Sequence, residues 1–155
     1  MAFKILCGAF PEATPIPRLY TADGADISPE LEWSDEPPGT KSFVLIMDDT
    51  DAPAGTWNHW LLWDIPATVH SLAQGFKPGR VGESGTNDFG KTGYGGPAPP
   101  KGHGPHRYYF RLFAVNAEPL GLRAGARRTD LDLALETHVL DQALYMGRYE
   151  RKWMR

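Results

Sequence analysis

The chain has 155 residues, one cysteine and a formal net charge of −3, so it is long enough to fold as one domain without disulfide or metal staples. No apolar stretch approaches the roughly 20 residues that cross a bilayer, and an acidic balance offers no basic field for a nucleic-acid backbone. With 17 glycines and 14 prolines against an ordinary 41% apolar content, the composition favours many turns and a mainly β protein.

The first ten residues are apolar around Lys4, but Pro11 interrupts them too early for a signal-peptide core, so no secretion signal and a cytoplasmic location are expected. Cys7 lies in that apolar run and reads as a buried, inert thiol. Thr21 to Pro29 is turn chemistry, and Leu31-Glu32-Trp33 alternates as a short strand does. Ser42 to Met47 contains five consecutive apolar residues, the mark of a strand buried on both faces. From His59 to Ile65, strict alternation places His59, Leu61, Trp63 and Ile65 on one face and Trp60, Leu62 and Asp64 on the other.

Residues 75–105 hold ten glycines and five prolines without an apolar period, a long excursion of the kind compact domains keep for a site. It leads into His106 to Val115, where His106, Tyr108, Phe110, Leu112 and Ala114 share the apolar face. Near the C-terminus, Thr129 reads as an N-cap and Gly147 as the residue closing a packed helix that includes His138. The arginines at 123, 127 and 128, and those from Arg148 to Arg155, read as solvated surface.

Gly85 to Thr92 matches the phosphate-loop pattern G-x-x-x-x-G-K-[ST], but no apolar strand enters it and Gly93-Tyr94-Gly95-Gly96-Pro97 cannot form the helix that would receive the phosphate. A nucleotide-hydrolase reading is therefore rejected. Ser84 lacks the G-x-S-x-G elbow of a nucleophilic hydrolase.

His59 and His106 are the chemically informative pair. Each opens an apolar strand after a loop rich in Gly, Pro or Asp, where concave sites with few polar groups sit. Two imidazoles and the Tyr108 phenol can donate to a small oxyanion, with affinity rising as pH falls through roughly 6 to 7. Asp49 and Asp51 would repel that oxyanion unless they orient an imidazole or meet a protonated oxygen or an ammonium. The rival is a metal-dependent hydrolase that uses the same two imidazoles and a carboxylate for zinc or iron, with His103 three residues before His106. No H-E-x-x-H and no cysteine cluster supports it, so neither metal nor cofactor is expected.

The order Tyr20-Thr21, Asp23-Gly24, Ser28-Pro29, Trp33, Asp49-x-Asp51-Ala52-Pro53, His59-Trp60, Tyr94-Gly95-Gly96-Pro97 and Gly102-His103-Gly104-Pro105-His106-Arg107-Tyr108 resembles the phosphatidylethanolamine-binding protein family, in its bacterial Raf-kinase-inhibitor-like branch. The resemblance spans nearly the whole chain. It implies two packed antiparallel sheets with Greek-key connections, a few peripheral helices including one near the C-terminus, and a single domain over 1–155. It implies a pocket for phosphate or a phosphoryl head group lined by Asp49, His59, His106 and Tyr108, supported by Asp51, Pro53 and Gly102, with a cis bond at Ala52-Pro53. The implied role is binding rather than catalysis, with protein partners and pairing into homodimers through an aromatic-rich surface. Two departures stand out: Thr50 replaces the proline usual between the two aspartates, and the chain ends soon after Arg151 without the extension that flanks the pocket in animal members.

Overall fold

The strand that organises the molecule is Ser42–Asp49, called β3, and all eight of its residues are buried. A strand with apolar side chains on both faces needs cover on both, and the computed structural model, which describes residues 2–79 and 81–152, supplies two different covers. In chain order the other elements are β1 (Lys4–Leu6), β2 (Leu31–Ser34), β4 (Trp57–Pro66), β5 (Ser71–Leu72), β6 (Glu83–Ser84), β7 (His106–Val115), α1 (Arg128–Leu135) and β8 (Val139–Tyr149).

Two antiparallel sheets result, one of three strands in the order β1-β2-β5 and one of five in the order β6-β4-β3-β7-β8. β7 returns across the long excursion to lie beside β3 rather than beside β4, which is the Greek-key feature of the fold. Between the sheets, Ile5, Trp33 and Leu72 meet Phe43, Leu45, Trp60, Leu62, Phe110 and Leu112. On the opposite face of the larger sheet, Val44, Ile46, Leu61, Trp63 and Val115 are covered by Leu131 and Leu135 of α1. Each such fully buried side chain contributes about 1.5–3 kcal/mol, so β3 is where stability concentrates.

Strict alternation fails in β4. Met47 pairs with Trp60 but Asp48 with Asn58, and Phe43 pairs with Ile65 but Leu45 with Leu62, so β4 carries an extra residue at two places. These are β-bulges, each of which shifts the side-chain alternation. As a consequence His59 and Ile65 lie on the inter-sheet side with Trp60 and Leu62, and not with Leu61 and Trp63 as the alternation predicts. The second bulge contains Asp64 in the left-handed region (φ 56°), its carboxylate accepting the Leu120 N–H at 3.0 Å.

The expected C-terminal helix is shorter than its apolar pattern suggests. It ends at Leu135, and β8 takes over the apolar residues beyond, with Ala143, Tyr145 and Gly147 inward. Gly147 is thus a strand residue. A Cβ there would stand 2.6 Å from both Ile16 Cγ1 and Phe10 Cε2, so the glycine admits the N-terminal segment. That segment also pairs with the outer edge of β8, as Ala13 and Ile16 donate to the Met146 and Arg148 carbonyls at 2.7 Å. Arg127, not Thr129, precedes the helix, and its N–H donates to Asp130 Oδ2 at 3.0 Å. His138 follows the helix and contacts Asn116 Oδ1 at 2.9 Å.

Arg128 is not solvated surface, because it binds the buried Asp48. Arg151 likewise forms a fork with Asp23, while Trp153, Met154 and Arg155 lie outside the described residues. Cys7 is buried, and burial pushes its thiol up. Among the described residues the exposed large apolar side chains are aliphatic except for Phe89, so the aromatic-rich surface is not found. No helix among them is long and apolar enough to cross a membrane.

Candidate functional site

The antiparallel register of β3 and β7 sets Asp49 opposite Tyr108, which brings the end of β3 to the start of β7. From there His106 reaches the carboxylate: its Nδ1 stands 2.6 Å from Asp49 Oδ2, with both side chains almost wholly buried. The other carboxylate oxygen accepts the Asp51 N–H at 2.8 Å, an Asx turn that starts the loop to β4. Asp51 in turn accepts the Arg107 backbone N–H at 2.8 Å and the guanidinium through Nε at 3.0 Å and Nη2 at 2.9 Å. The guanidinium holds the Asp51 carboxyl down at about 2. Asp51 therefore supports the loop by tying it to β7. Thr50, in place of the family's proline, donates its N–H to the Arg107 carbonyl at 3.2 Å. The cis peptide lies at Glu118-Pro119 and not at Ala52-Pro53.

The bulge in β4 turns His59 toward the same place. Its ring meets the Tyr108 ring edge-on at 5.2 Å between centroids and Phe89 at 5.0 Å. Nδ1 lies 2.7 Å from the Gly95 carbonyl, and a carbonyl only accepts, so Nδ1 carries the proton and the neutral ring leaves Nε2 as an acceptor. Burial pushes the His59 imidazole down, outweighing the Gly95 carbonyl and the Asp49 charge, which push it up. The neutral ring is the resting state.

Gly95 donates its N–H to the His59 carbonyl at 2.9 Å, and the segment that carries the phosphate-loop pattern leads into it. Asn87 Oδ1 accepts the Phe89 N–H at 2.9 Å and the Lys91 N–H at 3.2 Å, while Nδ2 donates to the Gly93 carbonyl at 2.9 Å and to the His59 carbonyl at 3.3 Å. No helix follows. The fully buried Asn87 makes this a self-contained turn pinned to β4, and its glycines serve the turn instead of a phosphate.

Between these elements lies a cavity of about 350 Å³ lined by Asp49, Pro53, Trp57, His59, Phe89 and His106, with Pro99 and Pro100 along another wall. Tyr108 does not line it. It stands behind the two imidazoles, fully buried, its ring stacked on His106 at 6.5 Å, and its hydroxyl has no hydrogen-bond partner. Burial, then the Asp49 charge, pushes that phenol far up, so it stays a donor. The Trp57 indole N–H is likewise buried without a partner. Gly102 lies outside the cavity; at φ 73° it forms the turn of the second loop and donates to the Arg151 carbonyl at 2.8 Å.

His103 is a residue whose position sequence reasoning did not foresee. Noted only as a partner for a metal, it instead places Nδ1 2.6 Å from His106 Nε2 and stays exposed. Asn87, Phe89 and the Gly95 carbonyl were missed as well. The Asn-Asp-Phe-Gly turn signal could have found Asn87, but a backbone carbonyl leaves no sequence signal.

The cavity lining contains no hydroxyl or thiol nucleophile. Both His106 nitrogens and His59 Nδ1 already have partners, and among the described residues no three His, Cys, Asp or Glu side chains converge as metal ligands. What the arrangement offers is two imidazoles and one carboxylate inside apolar walls.

The phosphatidylethanolamine-binding protein family matches residues 8–150. The chain belongs to that family. A UPF0098 protein of Aquifex aeolicus is 50% identical over 151 residues, covering 96% of this chain and 88% of that protein. YbhB of Escherichia coli is 43% identical over 127 residues, covering 78% and 80%. Among solved structures, a phosphatidylethanolamine-binding protein homologue from Chlamydia trachomatis superposes with a TM-score of 0.88 at 35% identity, covering 97% of this chain and 98% of that one. YbcL of E. coli, described as a member of the mammalian family, reaches 0.89 at 31% identity, with 96% and 98% covered.

Proposed function

We propose that this family member is a non-catalytic binding protein whose cavity receives a small oxyanion, phosphate or a phosphoryl head group, against His59 and His106. The observation that carries the reading is a cavity of about 350 Å³ whose polar lining is the His59 and His106 imidazoles and the Asp49 carboxylate, set among apolar walls. The family name points to the same ligand chemistry. A cavity of about 350 Å³ sits at the small end of the ligand-pocket range and suits a head group rather than a whole lipid.

The resting site is richer in acceptors than an oxyanion prefers. Asp49 is a carboxylate and neutral His59 turns a lone pair outward. A ligand thus fits when it brings a proton, as hydrogen phosphate does, or when its charge raises His59 enough to protonate it. Either way affinity rises as pH falls. With His59 pushed below its ordinary 6.5, the rise continues to lower pH than a free imidazole would allow.

An amide NMR titration with phosphate and with phosphoethanolamine tests the proposal. Saturable shifts confined to Asp49, His59, Phe89 and residues 102–108, absent from His59→Ala, are the expected result. Absence of saturable shifts at millimolar ligand would refute it. A role through protein partners and pairing of two copies belong to the same proposal; they rest on the family likeness, and size-exclusion chromatography across a concentration series tests the pairing.

A further inference from the structure

His106 borders the cavity but has no free nitrogen. Nδ1 is committed to Asp49, and Nε2 lies 2.6 Å from Nδ1 of His103, the rings 4.8 Å apart between centroids. One proton bridges the two rings, on His103 Nδ1 or on His106 Nε2, and in either case the outward nitrogen of His106 is occupied. The hydrogen bonds form one chain, from exposed His103 through buried His106 to buried Asp49.

We infer that His103 is a built-in competitor for the oxyanion, holding the outward nitrogen of His106 and leaving it when the ligand binds there. The inference rests on the oxyanion reading of the cavity. An oxyanion cannot meet His106 Nε2 while that atom is hydrogen-bonded to His103, so ligand and His103 exclude each other there.

The place of His103 in the fold suits a residue that leaves. Its side chain is exposed, and it sits between Gly102 at φ 73° and Gly104 at φ 86° on a short turn anchored by the Gly102 N–H on the Arg151 carbonyl. Departure costs one hydrogen bond and little apolar packing. The charged and titratable groups around the pair are Asp49 on β3, the Asp51–Arg107 ion pair beside it, Tyr108 on β7, Tyr149 opposite His106 on β8, His59 on β4, and Lys101 and Arg151 at the turn. Two imidazoliums cannot share this contact, so the competition weakens under conditions that charge both rings.

The experiment compares wild-type protein with His103→Ala, a substitution at an exposed turn, using phosphate and sulfate as probes at pH 8 and pH 5.5. Sulfate keeps its charge across that interval, so any pH effect on it belongs to the protein. The expected result is binding about 2- to 10-fold tighter in His103→Ala at pH 8, the range of one net hydrogen bond, and a smaller advantage at pH 5.5. In ligand-free wild type, ring-nitrogen NMR should show coupling across the His103–His106 contact, lost on saturation with phosphate. Saturable wild-type binding with equal or weaker affinity in His103→Ala at pH 8 would overturn the inference and leave the oxyanion reading standing. Failure of both proteins to bind either probe would remove the reading, and the inference with it.

Discussion

Asp48 and Asp49 are neighbours on one strand, both buried, and the pleat of β3 sends them to opposite faces of the larger sheet. On the helix side, Asp48 accepts Arg128 Nη1 with both oxygens, at 2.6 and 2.7 Å, and Asn58 Nδ2 at 3.2 Å, with Arg111 Nε at 3.4 Å. On the cavity side, Asp49 has an imidazole and a backbone N–H. A guanidinium is always charged, so Asp48 is neutralised at every working pH and acts as a clamp on α1. An imidazole can hold one proton or two, so under the oxyanion proposal Asp49 sits in a network able to exchange a proton with a ligand. The same residue type, one position apart, has a different setting on each face because of the base it meets, a guanidinium from α1 for Asp48 and an imidazole from β7 for Asp49.

The contrast is broken most severely by Asp48→Ala. Removing it leaves Arg111 without its carboxylate and Arg128 with the exposed Asp132 alone, and urea unfolding should show a loss of about 3 kcal/mol that is the same at pH 8 and pH 6. His106→Ala comes next. It strands the Asp49 carboxylate at an expected cost of about 2 kcal/mol in the same assay, together with at least a tenfold loss of phosphate affinity by NMR titration.

These two substitutions also mark how far the sequence could be read. The unbroken apolar run of β3 and the clean alternation of β7 were legible because both strands are regular, and they place Asp49, His106 and Tyr108 together. β4 was misread because its two bulges shift the alternation, and nothing in Asn58-His59-Trp60 distinguishes a bulge from a regular strand. The C-terminal helix was overextended because apolar residues recur from Leu131 to Met146 across two elements, and Gly147 looked like a cap when its role is to make room for Phe10 and Ile16. Arg128 was read as surface because the pairing that buries its charge comes from a residue 80 positions away.

A smaller effect sharpens the comparison through pH. The folded state holds His59 neutral below its ordinary 6.5, so the unfolded chain binds the extra proton first as pH falls. Stability should therefore decline below about pH 6.5 and level off once His59 protonates in the folded protein. His59→Phe should remove that part of the slope in urea melts between pH 7.5 and pH 5. Smallest of all is Asp51. With its carboxyl held at about 2 against an ordinary 3.8, its contribution is intact above pH 4 and is lost only as pH falls toward 2. Asp51→Asn should leave the global unfolding midpoint at pH 7 nearly unchanged while speeding amide exchange in residues 50–56.

The central claim is that an oxyanion is received by His59 and His106, and ring-nitrogen NMR during a phosphate titration at pH 7 tests it most directly. On saturation, the His59 Nε2 and His106 Nε2 resonances should both shift as each nitrogen gains a hydrogen bond to the ligand, while His70 and His138, away from the cavity, stay fixed. Phosphate saturation that leaves both nitrogens unchanged would contradict it.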